Sequence, residues 1–235
     1  MFENIFQREI ILIGEKNFEK IKNAHVAVFG IGGVGSFVVE ALIRAGVGEL
    51  TIIDFDRIEE SNLNRQVHTT IDNIHMSKVD EMMKRGMKIN PHVKINAIHE
   101  TYSLRSHDVI FNDQWDYIID AIDMIKSKVL LISQGKEENI PIISSMGTAN
   151  KIDPSLFKID DIHNTKMCPL ARLMRKEMRR RRITDVKVLY STEEPENFIN
   201  DNRLKGTISF VPSIAGLMIA GEVIRDLIKG ADHEK

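Results

Sequence analysis

The chain of 235 residues is 43% hydrophobic and 28% charged, enough apolar sequence to bury a core in one large or two small domains. Its formal net charge of -2 excludes a general polycation and, taken as an average, argues against a nucleic-acid partner. The average conceals a local excess: over 172–182 seven basic residues stand against one acid, Glu177, a local +6 that leaves about -8 on the rest. The single cysteine, Cys168, excludes an intrachain disulfide and a multi-cysteine zinc site. The N-terminal stretch MFENIFQREI carries acids and no apolar signal core. The longest uncharged run, 206–221, contains Pro212 and is too short to span a bilayer. These features lead us to expect a soluble, cytoplasmic protein with no membrane partner.

In chain order, helical spacing over 5–23 gives way to His25-Val26-Ala27-Val28-Phe29, a buried strand that runs straight into glycines. A helix over 34–45 and a second strand over 50–54 follow. The spacing then predicts a helix over 77–89, stopped by Asn90-Pro91, and strands at 93–95, 116–120 and 141–144, the last two separated by a helix. Strands alternating with helices imply right-handed crossovers, hence a Rossmann-like α/β fold: a mainly parallel sheet with helices on both faces. Beyond about residue 150 the pattern loosens into a C-terminal elaboration of the same domain. It holds a helix over 169–182, a strand over 186–190, a polar loop over 191–205 and an apolar helix over 212–228.

Gly30-Ile31-Gly32-Gly33-Val34-Gly35 matches G-x-G-x-x-G between a strand and a helix. Such glycines permit a tight turn and let backbone N–H groups approach a phosphate at the helix N-terminus. Asp54 closes the next strand, placed to accept hydrogen bonds from a ribose. These elements alone leave NAD and ATP both open. Asp54-Phe55-Asp56 is followed by Ser61-Asn62-Leu63-Asn64-Arg65-Gln66, by Lys78 and by Asp120-Ala121-Ile122-Asp123. An enzyme that directs attack onto the α-phosphate of ATP needs such cations against developing charge, and a carboxylate for magnesium.

This ordered set resembles the ubiquitin-activating-type (ThiF/MoeB-like) adenylating superfamily, with its GxGGxG, DxD and SNLxRQ segments and its downstream Lys and Asp. The resemblance implies ATP and Mg2+ as cofactors. It places Asp54 on the ribose, Asn62 and Arg65 on the phosphates, Lys78 on the α/β-phosphates and Asp123 on the metal. Gly30, Gly32, Gly33, Gly35, Asp56, Gln66 and Asp120 complete the implied nucleotide site. Arg8, in Phe6-Gln7-Arg8-Glu9, resembles the arginine that this superfamily donates across a homodimer; an ordinary exposed helix charge is the alternative.

Within the superfamily the chain resembles the tRNA threonylcarbamoyladenosine dehydratase (TcdA) family. The residues are Asp120-Ala121-Ile122-Asp123 followed by Met124, Asn150-Lys151-Ile152-Asp153-Pro154, Pro169-Leu170-Ala171-Arg172, and Tyr190-Ser191-Thr192-Glu193-Glu194-Pro195. The likeness runs from about residue 5 to residue 229. It implies ATP-dependent ring closure of a nucleoside that carries a threonine carboxylate beside the anticodon. The carboxylate would take AMP from ATP, and the neighbouring ureido group would close the ring and expel AMP. Proximity does much of that work, and no covalent enzyme intermediate is required. The other branch adenylates the C-terminus of a ubiquitin-like or sulfur-carrier protein, and many of its members carry four zinc-binding cysteines that one cysteine cannot supply. A nucleotide-binding scaffold and an NAD oxidoreductase are the remaining alternatives. A sulfur-transfer partner protein is compatible with either branch.

Helical spacing sets Leu170, Leu173, Met174 and Met178 on one stripe of the 169–182 helix, with the cations largely off it. Arg172, Arg175, Lys176, Arg179, Arg180, Arg181 and Arg182 are the candidate tRNA contacts, through phosphates and without sequence preference. The bland reading of the same residues is a solvated helix end favoured by the dipole. Cys168 reads either as a nucleophile or as a small residue at a helix start. Met82, Met83 and Met87 read as core positions, His68 as solvated or structural, and the last helix as dimer or core packing.

Overall fold

The strands are β1 (His25–Phe29), β2 (Glu49–Ile53), β3 (Lys94–Ile98), β4 (Tyr117–Asp120), β5 (Ile142–Ser145), β6 (Phe157–Asp161) and β7 (Lys187–Ser191). In the computed structural model, which describes residues 5–194 and 205–230, they form one sheet in the order β3-β2-β1-β4-β5-β7-β6. All pairings are parallel except β6 with β7. β1 and β4 are buried almost throughout, as central strands covered on both faces must be.

Helices cover both faces: α1 (Gln7–Ile13), α2 (Glu15–Lys22), α3 (Gly35–Arg44), α4 (Lys78–Ile89), α5 (His107–Ile110), α6 (Ile125–Glu137), α7 (Pro169–Arg181) and α8 (Phe210–Lys229). One core gathers Val38, Val39 and Leu42 of α3 with Ala215, Ile219 and Val223 of α8. The other packs Val129 and Ile132 of α6 with Ala171, Met174 and Met178 of α7. Gly216 makes the α3–α8 approach possible, since a β-carbon there would lie 2.4 Å from the Val34 carbonyl. The last helix is therefore core, and no helix of the described residues is long and apolar enough to cross a membrane.

Several local expectations are corrected. The helix expected over 5–23 is two helices, broken where Gly14 takes φ 83°. The antiparallel β6 is an addition to the expected strands, because Phe157-Lys158-Ile159-Asp160-Asp161 is polar at alternate positions and sits at the sheet edge. Met87 is 53% exposed and is no core residue, although Met82 is fully buried. Of the loop expected over 191–205, Ser191 belongs to β7 and residues 195–204 lie outside the described residues.

Candidate active site

Strand order reverses at β1, with β2 on one side and β4 on the other, which opens a crevice at the carboxyl ends of β1 and β4. The glycine loop leaves β1 there, and a cleft of about 700 Å³ lies over it. Gly30 has φ 89°, and a β-carbon on it would lie 2.7 Å from the Ala121 carbonyl oxygen, so the turn itself demands glycine. Gly35 is not in the cleft lining; its β-carbon would overlap the Gly30 carbonyl, so it serves the packing of α3 under the loop. Gly32 differs: it lines the cleft, and a β-carbon there meets no heavy atom within 4 Å. The fold leaves this position open to side chains, so its glycine fits a ligand that must come close to the backbone.

Asp54, 9% exposed, holds the loop from the β2 end: its Oδ2 accepts from Ile31 N at 2.6 Å and its Oδ1 from Asp56 N at 2.8 Å. Burial pushes its carboxyl above the usual carboxylate range, against the opposing pull of Lys78 and those two N–H groups. Lys78, the first residue of α4, donates from Nζ to Asp56 Oδ2 at 2.6 Å. Arg65 folds back on its own loop, its Nη1 donating to the Ser61 carbonyl at 2.6 Å and to Asn64 Oδ1 at 2.8 Å. Asn62 is buried and closes a capping box with Glu59, and Gln66 Oε1 is buried with no hydrogen-bond partner. Asp56, Asn62, Arg65, Gln66 and Lys78 all line the cleft, together with Gly30, Gly32, Gly33 and Asp123. Arg65, Lys78 and the glycine loop line one space, a setting for a polyanion.

Asp120 departs from the expectation. It is fully buried beneath the cleft, outside its lining, and pairs with the equally buried Lys128 at 3.0 Å. Ser144 Oγ donates to the same oxygen at 2.6 Å, and Ile122 N donates to Oδ1 at 3.1 Å. Lys128 Nζ also donates to the Ile122 carbonyl at 2.9 Å. Asp120 therefore shapes the turn and is closed off from the cleft, whereas Asp123 is exposed on the cleft wall and makes no hydrogen bond or ion pair with a described residue. Among the described residues no cluster of three His, Cys, Asp or Glu could hold a metal by itself. A single free carboxylate on the cleft wall is of the kind that suits magnesium, which is held by one or two carboxylates when phosphate oxygens complete its shell.

The opposite wall carries residues that the sequence marks only as family signature. Asn150, at φ 56°, exchanges two hydrogen bonds with Gly206, and Asn64 Nδ2 donates to the Thr207 carbonyl at 3.2 Å. The Glu193 carboxylate accepts from Ile152 N at 2.8 Å and Asp153 N at 3.1 Å, and Lys151 Nζ donates to the Glu193 carbonyl. Two separate segments of the chain, 150–153 and 191–193, thus lock together beside the cleft. Cys168 is 3% exposed and faces the cleft beside Gly147, as the uncapped residue before α7.

α7 differs from the expected stripe in part: Ala171, Met174 and Met178 enter the core with Leu170 packed against them at the cleft edge, whereas the 47%-exposed Leu173 lines the cleft. Arg172, Lys176, Arg179, Arg180, Arg181 and Arg182 are exposed, with Arg180 bridging Glu177 at 2.7 Å. Arg175 is half-buried and bonded through Nη1 to the carbonyl and hydroxyl of Thr165, so its guanidinium ties α7 to the preceding loop. Arg8 lies on α1 away from the cleft, on a helix with no buried residue. His68 is buried, not solvated, and neither ring nitrogen has a hydrogen-bond partner.

The ThiF family profile matches residues 6–235. The chain belongs to the ThiF family. One relative, the tRNA threonylcarbamoyladenosine dehydratase of Bacillus subtilis, is 38% identical, and the alignment covers 98% of this chain and 97% of that protein. The chain groups with the dehydratases of the ThiF family on this near-complete match. The crystal structure of the Escherichia coli tRNA N6-threonylcarbamoyladenosine dehydratase, TcdA, in complex with ATP superposes with a TM-score of 0.91 at 28% identity, over 99% of this chain and 97% of that one. A sulfur carrier protein adenylyltransferase of Thermus thermophilus is 26% identical over 95% of this chain and 77% of its own length.

Proposed function

We propose that this chain is an ATP-dependent tRNA threonylcarbamoyladenosine dehydratase. The observation that carries this is the full-length likeness to dehydratases in a chain whose cleft gathers Gly32, Arg65, Lys78 and Asp123 around one space. ATP lies along the glycine loop, with its ribose at Asp54 and its phosphates over Gly32. Arg65 and Lys78 meet the charge that builds on the phosphates when the substrate carboxylate attacks the α-phosphorus; one such donor is worth about 3 kcal/mol of barrier. Asp123 would hold Mg2+ against the phosphates, where the ion would neutralise charge on the leaving pyrophosphate. The carboxylate oxygen bonds to phosphorus as the bond to pyrophosphate breaks. The ureido group then attacks the acyl carbon, loses a proton and expels AMP, so the nucleoside loses one water. No step needs a thiol or a sulfur atom.

Support for tRNA comes from α7, whose first turn lines the cleft and whose last turn carries the exposed arginines, 13 residues or about 20 Å along the same helix. A nucleoside in the cleft keeps its flanking phosphates within reach of Arg172, Lys176 and Arg179 to Arg182. The -2 average over the chain is therefore no bar to tRNA, because the charge is segregated onto one helix. The chain works as a homodimer in the cytoplasm: α1 exposes Ile11 and Leu12, 77% and 83%, beside Arg8, an arrangement suited to a second copy that receives Arg8.

Pyrophosphate release from ATP discriminates this reading from carrier-protein adenylation. Release that requires tRNA bearing the threonylcarbamoyl group supports it; release driven by a protein ending in a free glycine carboxylate, and unaffected by tRNA, contradicts it.

A further inference from the structure

We propose that Lys151 is the docking cation for the free carboxylate of the substrate, on the cleft wall opposite the glycine loop. The proposal rests on the dehydratase reading above. Lys151 lines the cleft yet is 4% exposed, and it forms no ion pair with a described residue. Its Nζ donates to the Glu193 main-chain carbonyl, and the acidic groups of Glu193, Cys168 and Glu194 act on it only at a distance, without an ion pair among the described residues. A buried ammonium bonded to a carbonyl, with no direct ion partner among the described residues, is costly, and an incoming carboxylate relieves that cost. Burial also draws its pKa below the ordinary lysine range, against the pull of Glu193, Cys168 and Glu194.

The position is held from several sides. The Glu193 carboxylate grips the amides of Ile152 and Asp153, Ser191 Oγ accepts from Glu193 N at 3.0 Å, and Asn150 is fastened to Gly206. Such fixing of a lysine's root by two distant segments is more than a solvated side chain requires. The phosphates of ATP already have Arg65 and Lys78, and of the two further lysines that line the cleft Lys205 is exposed and Lys151 buried, so Lys151 is the fixed cation left for the second anion of the reaction. Leu170 and Leu173, which line the same cleft, offer an apolar shelf for a planar base.

The experiment uses the full chain with tRNA bearing the threonylcarbamoyl group, measuring pyrophosphate release over a range of tRNA at saturating ATP and magnesium. Lys151→Met removes the charge, and Lys151→Gln removes it while keeping an N–H donor for the Glu193 carbonyl. We expect each to lower kcat/KM for tRNA about 100-fold, with affinity for a non-hydrolysable ATP analogue changed less than about threefold. Lys151→Arg should recover about a tenth of the activity or more. Either neutral variant turning over like wild type overturns the proposal. So does a variant that releases pyrophosphate normally but fails to close the ring, which would make Lys151 a base, and so does loss of ATP-analogue affinity in Lys151→Gln. Wild type that releases no pyrophosphate with this tRNA overturns the dehydratase reading and the proposal together, whereas failure of the lysine claim alone leaves wild type active.

Discussion

Lys78 Nζ lies 2.6 Å from Asp56 Oδ2, the lysine side chain 6% exposed and the aspartate 45% exposed. The pair is asymmetric: the cation is anchored in the wall at the start of α4, while its partner is open to solvent and to the cleft. A phosphate oxygen entering the cleft can therefore take the lysine's remaining N–H bonds without dismantling the wall. Lys78→Met should lower adenylate formation about 100-fold, measured as tRNA-dependent pyrophosphate release, with little change in melting temperature. Lys78 also restrains the upward shift of the Asp54 carboxyl. Its removal raises the Asp54 pKa further, so the acid limb of ATP binding should move to higher pH in the variant.

The buried Asp120–Lys128 pair makes a different prediction. Both side chains are 0% exposed, and together they fix the turn that presents Asp123. Lys128→Met leaves the Asp120 carboxylate buried without its cation and should destabilise the fold by about 3–5 kcal/mol in denaturant unfolding. Adding Asp120→Asn should restore much of that stability, because the uncompensated charge is gone. A single variant as stable as wild type would show that water or another group satisfies Asp120.

These two lysines show how far the sequence can be read. Lys78 stands out because it follows the DxD and SNLNRQ segments at the start of a strongly periodic helix, and the structure puts it in the cleft as expected. Lys128 gives no signal: a lysine between Lys126 and Lys136 on a helical stretch looks solvated, and only the depth of α6 against β4 reveals its burial. Asp120 is misplaced by the motif for the matching reason. The last residue of a central strand points either up into the crevice or down into the sheet, and the side-chain alternation that decides this depends on register. The parallel sheet is legible because its central strands are uninterrupted apolar runs. The edge strand β6 is not, since its burial alternates and its pairing with β7 spans distant sequence. The far wall of the cleft is legible only as motif, because the lock between Asn150–Asp153 and Ser191–Glu193 is a tertiary contact that no local spacing encodes.

His68 supplies a prediction in pH. Burial, assisted by Lys78 and Arg85, holds its pKa down at about 4, below the ordinary histidine value of 6.5. The unfolded chain therefore binds the proton first as pH falls, and stability declines between about pH 6.5 and about pH 4, by up to roughly 3 kcal/mol. Neither ring nitrogen has a hydrogen-bond partner among the described residues, so His68→Leu breaks no hydrogen bond seen there. The variant should match wild type at pH 8 and unfold less readily at pH 5, in urea titrations at the two pH values. An unchanged pH dependence would remove His68 as its source.

The exposed arginines of α7 should act together and Arg175 apart from them. Charge reversal at Arg179, Arg180, Arg181 and Arg182 should weaken tRNA binding and flatten its salt dependence, by a slope of about 0.7–0.9 for each phosphate no longer neutralised, with ATP affinity unchanged. Arg175→Ala should instead lower stability, since it frees the Thr165 carbonyl and hydroxyl that the guanidinium holds. Equal tRNA affinity after the fourfold reversal would put the nucleic acid on another face.

The mass of the modified nucleoside tests the central claim most directly. Incubate the full chain with ATP, magnesium and tRNA carrying threonylcarbamoyladenosine, digest the tRNA under mild conditions, and weigh the nucleoside. A product lighter by one water, formed only when ATP is present and lost in Lys78→Met, is the result expected of a dehydratase. An unchanged nucleoside mass, with ATP consumed only when a carrier protein is supplied, would contradict it.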